Sequence, residues 1–315
     1  MELAKDFVFK AHRDAAKAAQ AFSATADDPL GPLQLLLGTW KGQGFNQIWR
    51  PFHAVPPDPA GQDRFLELNL TEETLQFEDI PGAIPNRGLL QAEINLFGMT
   101  YLQQVTDRNT NEGIHVETGM WVNVQATSNP QETATVVRMG SIPHGTTIQA
   151  QGIASASDGP PDIAAVGITP FVIGNPGEQV PFPESNLAIP TSFRTPPDQL
   201  TGVTQAMVDN PNSVLQTALQ GQSIVQTTTL RISSKVGVVP VPDVGGGTAN
   251  IAFLAGNPAP NALAAQVDAT FWIETVKGAD GEVFEQLQYT QTVLLNFNGL
   301  SWPHVSVATL RRMDQ

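Results

Sequence analysis

The residues of this 315-residue chain best suited to chemistry are its five histidines, His12, His53, His115, His144 and His304. None of them stands in an H-x-x-x-H or H-E-x-x-H pattern, so a zinc site on a helix has no support. No G-x-S-x-G segment occurs, which argues against an acyl-transfer triad. The chain also has no cysteine, which excludes disulfides, thiolate metal sites and a cysteine nucleophile. The chemistry left to consider is that of imidazole, which ligates metals and transfers protons near neutral pH.

His304 opens the last alternating segment of the chain, PHVSVATLRRM. Because side chains alternate along a strand, His304, Ser306, Ala308 and Leu310 share one face. A histidine on the inner face of a closing strand is either a hydrogen-bonded core group or a ligand for something held inside the protein. The segment by itself leaves both interpretations open.

Two further histidines lie in patterns that suggest acid–base chemistry. His115 and Glu117 share a strand face with Gly119 and Trp121, so they form either a proton relay or a polar pair that stabilises a sheet. His144 lies in SIPHGTT between two predicted strands, where the neighbouring Pro and Gly favour a tight loop. It is either a solvent-exposed turn residue or a group placed over a bound ligand.

The elements that position these residues are predicted to be strands. After Pro29 the sequence shows short alternating segments separated by turns, typical of an antiparallel fold. The candidate strands are 39–49, 64–70, 74–79, 99–106, 115–125, 133–140, 145–152, 222–233, 265–276, 284–297 and 304–311. Polar side chains fall on both faces of some strands, which favours a barrel that holds a ligand. We therefore predict a mainly β protein, an antiparallel barrel of about ten strands.

The barrel is predicted to be one domain, 29–315, preceded by an amphipathic alanine-rich helix within 1–28. Two segments rich in Pro, Ser or Gly, 153–222 and 236–262, interrupt the strand rhythm as long insertions. Only 210–221 within them has the start and end signals of a helix. We expect these insertions to act as a lid over the barrel mouth.

Composition limits the partners. The formal net charge is −14, from 30 acidic and 16 basic residues. Such a surface repels nucleic acid and anionic lipid. No run of 18 apolar residues and no signal peptide is visible, so we expect a cytoplasmic protein that does not act on membranes.

Three segments together are more specific: PLGPLQLLLGTWKGQGFNQIWRPF, IHVETGMWVNV and PHVSVATLRRM. They resemble the nitrobindin-like haem-binding β-barrel family, which has a lipocalin or fatty-acid-binding-protein shape. The resemblance covers 29–125 and 265–315 but hardly reaches 153–262. The matching residues are Gly38, Thr39, Trp40, Gly42, Gly44, Pro51, Phe52, His115, Glu117, Gly119, Trp121, His304, Val305, Arg311 and Arg312.

The resemblance implies that His304 is the proximal ligand of the iron of haem b. A His144 on the distal side would depart from this family, whose distal pocket is largely apolar, and would suggest activation of a bound molecule rather than simple gas binding. His144, His115 and Glu117 are the candidate catalytic residues. Three aromatic residues are candidates for contact with the cofactor, although ordinary core or wall packing explains each of them as well: Trp40, Trp121 and Tyr289.

The function expected from this resemblance is a haem protein that handles a small gas or peroxide, or acts on a small hydrophobic substrate. One alternative is a metal-free carrier of a fatty acid or another apolar ligand. Another is a haem-dependent isomerase or dehydratase whose insertions cover the substrate. Whether the chain is an enzyme, and whether it forms a homodimer, stays open at this point.

Overall fold

Ten long antiparallel strands form a closed barrel in a computed structural model that describes residues 28–53, 63–235, 245–250, 256, 260–278 and 281–313. Each strand pairs with the next one along the chain, and the last pairs back onto the first. The strands are β1 (Gly38–Pro51), β2 (Arg64–Asp79), β3 (Ile94–Asp107), β4 (Gly113–Val124), β5 (Thr135–Ser141), β6 (Thr146–Asp158), β7 (Ser223–Ser233), β8 (Leu263–Lys277), β9 (Val283–Phe297) and β10 (Leu300–Arg312). The predicted fold class is confirmed. The N-terminal helix expected within 1–28 lies outside the described residues.

The candidate strands number eleven, one more than the barrel has, because β2 is divided in the sequence analysis into 64–70 and 74–79. The structure shows one continuous strand, Arg64–Asp79. The polar run at its centre has the composition of a turn, but Thr71 and Glu73 face into the barrel. The Thr71 hydroxyl donates to Glu73 Oε1 at 2.8 Å, and both side chains are buried. A buried polar layer therefore replaces the predicted turn.

One end of the barrel is closed by a short 3-10 helix, Gly31–Leu36, whose Leu33 and Leu36 side chains are fully buried. Trp40, two residues into β1, donates from Nε1 to the Leu36 carbonyl at 2.7 Å. Gly31, at φ +54°, is needed here, since a Cβ at this position lies 2.9 Å from the Asn123 amide. The plug and the inward apolar side chains around it form the core of the closed end.

Arg312, the second of the two terminal arginines, also belongs to the closed end. It donates to the Leu35 carbonyl, pairs with Glu285, and lies 4.6 Å from the centre of the Trp40 ring. The basic end of the final segment is therefore used to hold the plug against the barrel. Arg311, in contrast, is exposed.

The first insertion begins after β6 and packs on the outer wall of the barrel. That it also covers the barrel mouth stays a prediction. Outward side chains of β1 and β9 donate to its backbone, from Gln47 Nε2 to the Val208 carbonyl at 3.1 Å and from Gln288 Nε2 to the Leu215 carbonyl at 3.2 Å. Its apolar residues complete a second core with outward residues of β1, β2 and β10. The apolar residues on this outer wall are buried by the insertion. Strand alternation by itself does not show which segment of the chain buries them.

Two short helices stand within this insertion, Gln205–Asp209 and Ser213–Ala218. The second confirms the helix predicted within 210–221. The second insertion contributes a short strand, Gly246–Asn250, that pairs with residues 146–150 of β6. It extends the barrel wall beyond the residues at which β7 pairs with β6. No helix in the described part of the chain has the length and apolarity to cross a membrane.

Candidate functional site

His304 faces the barrel interior in the half opposite the plug. It lies across from Ile48 on β1 and Val293 on β9, both of which share its inward face. His304, Asn46 and Ser306 keep some exposed surface although they point inward. Side chains therefore do not completely fill the lumen around His304.

A hydrogen bond to Asn46 fixes one ring nitrogen of His304. The distance from His304 Nε2 to Asn46 Oδ1 is 2.7 Å, and the Ser306 hydroxyl donates to the same oxygen at 2.8 Å. Asn46 Nδ2 in turn donates to Asn69 Oδ1 at 3.2 Å, which identifies the Asn46 oxygen as the atom facing the histidine. An amide oxygen only accepts, so Nε2 carries the proton and Nδ1 has the lone pair.

Asn69 Nδ2 continues the chain to Asp107 Oδ2 at 2.8 Å. Asp107 is itself held by the backbone N–H groups of Asn109 and Thr110, at 2.7 and 2.8 Å from Oδ1. The His304 ring is thus oriented by a chain of polar groups that ends in a fixed carboxylate. No hydrogen-bond partner of His304 Nδ1 occurs among the described residues.

The environment of His304 disfavours its charged form. Burial lowers its pKa to about 3, and positive charge on His115 and His144 adds to the effect. The imidazole is therefore neutral at physiological pH, the state in which its nitrogen can ligate a metal.

His115 and His144 come together beside this site. Their ring centroids are 5.1 Å apart and the ring planes are perpendicular. His144 is exposed, and His115 is partly buried with 19% of its side chain accessible. Burial and the charge of His115 lower the pKa of His144, while Glu117 acts in the opposite direction.

Glu117 is completely buried under His115. Its Oε2 lies 3.5 Å from His115 Nε2, the distance of an ion pair rather than a good hydrogen bond, and has no hydrogen-bond partner among the described residues. Its other oxygen accepts from Arg138 Nη2 at 2.7 Å and from the Tyr101 hydroxyl. Burial is the largest single effect and raises the pKa of Glu117, but the charge of Arg138, together with the contributions of His115 and Tyr101, outweighs it and lowers the pKa to about 2. The carboxylate is therefore ionised.

Tyr289 lies in a second buried network at the same depth. Its hydroxyl donates to Glu73 Oε2 at 2.5 Å and accepts from Gln103 Nε2 at 2.9 Å. Burial raises the pKa of Glu73. Together with the network of Glu117 and Arg138, this forms a polar layer across the middle of the barrel. Tyr289 is part of that layer.

Trp40 and Trp121 lie in the core of the closed end. Trp40 is eight residues along β1 from Ile48, the partner of His304, which corresponds to roughly 26 Å at the rise of a strand. Trp121 packs edge-on against Phe271 at 5.3 Å. The structure does not bring these two candidate cofactor residues to the His304 end.

Two residues central to the site are absent from the sequence prediction, Asn46 and Arg138. Strand alternation places Asn46 on the face of Gly42 and Gly44, which was a usable signal that it points inward. Nothing in the sequence shows that it meets His304, 258 positions away. Arg138 is 2% exposed, and arginines are rarely buried this deeply unless they are paired. Its inward position therefore becomes understandable only when Glu117 is seen beside it.

Access to the histidine pair is from a depression of about 1070 Å³ along β1–β4. Its lining consists largely of outward residues of these strands, together with His115 and His144. Within the described residues, no three His, Asp or Glu side chains are grouped closely enough to hold a metal ion. The described side chains therefore offer single nitrogen ligands and not a complete coordination shell.

Comparison with known proteins adds little to this geometry. No family model matches the chain, and no curated protein matches its sequence. A structure of Rv2717c from M. tuberculosis aligns over 90% of this chain and 99% of its own, with 15% sequence identity and a TM-score of 0.39. The barrel assignment thus depends on the strand pairing described above.

Proposed function

We propose that the protein binds haem b, with His304 as the axial ligand of the iron. The observation that carries the proposal is the state of the His304 ring: Nε2 is held by Asn46, and Nδ1 has no partner in the described part of the chain. Histidines that ligate metals usually donate their other N–H to an oxygen acceptor, which fixes the tautomer and the ring orientation. His304 has this arrangement with Nδ1 as the free nitrogen.

The surroundings of His304 are compatible with an axial ligand of a macrocycle. Ile48 and Val293, its neighbours on the adjacent strands, are aliphatic and share its inward face. The low pKa of His304 keeps protons from competing for the ligating nitrogen. The resemblance of three sequence segments to nitrobindin-like haem proteins supports the same assignment. When bound, the iron supplies a position for a small gas or peroxide.

The alternative of a fatty-acid carrier is less well supported. The polar layer across the middle of the lumen contains two buried carboxyl groups, Glu73 and Glu117, and the Arg138 guanidinium. An alkyl chain packed against this layer offers its polar atoms no hydrogen bond. A ligand with one polar face, held at the open half of the barrel, suits this lining better.

Hemin titration followed by absorption spectroscopy tests the proposal. We expect wild-type protein to take up one hemin per chain and develop a Soret band, and His304→Ala to lose it. His53→Ala is the matched control, because His53 is exposed and outside the site. A wild-type protein that takes up no hemin but binds a fluorescent fatty-acid probe supports the carrier instead.

A further inference from the structure

The hydrogen-bond chain that reaches His304 has a carboxylate at its far end and neutral groups along the rest of its length. Asn46 lies directly opposite Asn69 on β2 and directly opposite Ser306 on β10, so the three side chains share the inward face. Asp107, the last residue of β3, ends the chain, and its Oδ2 accepts from Asn69 Nδ2 at 2.8 Å. Asn69 and Asp107 are both buried, so their polar atoms depend on these partners within the protein.

We propose that Asp107 selects which nitrogen of His304 is free, by fixing the direction of each hydrogen bond in this chain. An ionised carboxylate only accepts, so Asn69 must turn its Nδ2 toward Asp107 and its oxygen toward Asn46. Asn46 then donates to Asn69 Oδ1 at 3.2 Å and presents its own oxygen to His304 Nε2 at 2.7 Å. Nε2 must therefore carry the proton. That Nδ1 goes on to ligate iron rests on the proposed function, whereas the choice of tautomer does not.

The other groups in the chain impose no direction of their own. A carboxamide can rotate so that its oxygen and nitrogen exchange places while its shape stays the same. A hydroxyl both donates and accepts, so Ser306, which donates to Asn46 Oδ1 at 2.8 Å, can accept from Asn46 after such a rotation. A neutral imidazole can carry its proton on either nitrogen. Of the groups in this chain, only Asp107 is unable to reverse its role.

Asp107 can impose this direction because its own position is held from outside the chain. Its Oδ1 accepts from the backbone N–H groups of Asn109 and Thr110, at 2.7 and 2.8 Å, which leaves Oδ2 for the chain. The Asn109 side chain ties the same turn to the first insertion, since its Nδ2 donates to the carbonyls of Gln199 and Thr201, at 2.7 and 3.2 Å. The insertion thus anchors the end of the chain that decides the tautomer, and Asp107 is a positioning residue for His304.

The isosteric variant Asp107→Asn is expected to reverse the chain. The two backbone N–H groups that now hold Oδ1 will hold the oxygen of the new amide, so its nitrogen faces Asn69. Asn69 then has to turn its oxygen toward position 107 and its nitrogen toward Asn46. Asn46 in turn donates to His304 Nε2, and the ring proton moves to Nδ1.

The first arm of the test uses the protein without hemin. At a single pH near 7, ¹⁵N NMR of the His304 ring distinguishes a protonated nitrogen from one with a lone pair. We expect the proton on Nε2 in wild type and on Nδ1 in Asp107→Asn. Asp162→Asn, on an exposed residue of the first insertion, is the matched control and should keep the wild-type tautomer. A folded Asp107→Asn protein with the proton still on Nε2 overturns the proposal.

A rescue separates this role from a merely structural one. Adding Asn46→Asp to Asp107→Asn places a carboxylate beside Nε2 and should return the proton to that nitrogen, because the new group can only accept. Failure of the double variant to restore the wild-type tautomer contradicts the proposal. If Asp107→Asn does not fold, Asn69→Ala takes its place. It cuts the chain and should give a mixture of both tautomers, and an unchanged tautomer there also overturns the proposal.

The second arm measures the consequence for hemin, by transfer from the loaded protein to an excess of apomyoglobin. We expect Asp107→Asn to hold hemin about 10-fold less tightly than wild type, and Asp162→Asn to hold it equally well. The double variant with Asn46→Asp should recover most of the loss. Equal affinity in Asp107→Asn and wild type shows that Asp107 does not select the ligating nitrogen. If wild type takes up no hemin, the proposed function fails, and the NMR arm alone decides whether Asp107 sets the tautomer.

Discussion

Glu274 is a buried carboxyl group whose ionisation makes stability depend on pH. It lies on β8 beneath the end of the first insertion and is fully buried. Gln286 Nε2 donates to its Oε2 at 2.6 Å, and Gln286 also pairs with Gln222 of the insertion at 3.0 Å. The other oxygen of Glu274 has no hydrogen-bond partner in the described part of the chain. Burial raises its pKa from 4.5 to about 7.

The sign and size of the effect follow from this shift. Below pH 4.5 the carboxyl is protonated in both folded and unfolded chains and contributes no difference. As the pH rises from 4.5 to about 7, the unfolded chain ionises first and stability is lost. Each tenfold change in acidity is worth about 1.4 kcal/mol, so the cost above pH 7 is about 3 kcal/mol. Glu274→Gln removes the charge and should recover this free energy at high pH only.

Urea denaturation at about pH 4.5 and about pH 8 measures the difference. We expect Glu274→Gln to gain about 3 kcal/mol more, relative to wild type, at the higher pH. Any pH-independent effect of the new amide cancels in this comparison. Glu78→Gln, on an exposed residue at the end of β2, is the control. A Glu274→Gln effect of equal size at both pH values refutes the reasoning, because it shows that no buried ionisation is involved.

Three further predictions concern the barrel interior. Asn46→Asp places a carboxylate beside His304 Nε2, so the imidazole becomes a stronger electron donor to the iron. The reduction potential of the hemin-loaded protein, measured by spectroelectrochemistry, should therefore fall. An unchanged or higher potential contradicts the Asn46 contact. Arg138→Met should lower the free energy of unfolding by about 3–5 kcal/mol in urea denaturation, because the buried Glu117 charge loses its partner. The double variant Arg138→Met with Glu117→Leu should recover most of this loss. Additive losses in the double variant argue against the ion pair. Gly44→Ala should destabilise the barrel measurably in the same assay, since a Cβ there lies 2.1 Å from the Val307 carbonyl; a neutral effect shows that β1 and β10 are less tightly apposed.

Much of the barrel can be predicted from the sequence because strand alternation is a local property. The inward face of β10, and the inward positions of His115 and Glu117 on β4, follow from the alternation of side chains along a strand. The continuous β2 does not follow, because the inward Thr71 and Glu73 have the composition of a turn and are stabilised by Tyr289, which is 216 residues from Glu73. A contact of that kind is decided by the closure of the barrel.

The candidate site divides in the same way. His304 is identifiable as an inward histidine, but the residue that fixes its tautomer, Asn46, becomes known only from the register that places Ile48 opposite His304. The role of the first insertion is also hidden, since its short apolar stretches gain meaning only against the outer faces of β1 and β2. Local periodicity therefore predicts the strands of the barrel wall, whereas the contacts of the candidate site depend on the pairing of strands that are distant in sequence.

The most direct test of the central claim is rescue of His304→Gly by free imidazole. In this variant the axial nitrogen is removed and the surrounding Asn46 and Ser306 are kept. We predict that His304→Gly with hemin lacks the wild-type Soret band and that added imidazole restores it at a stoichiometry of one hemin per chain. A His304→Gly protein that shows the full wild-type band without imidazole contradicts ligation by His304.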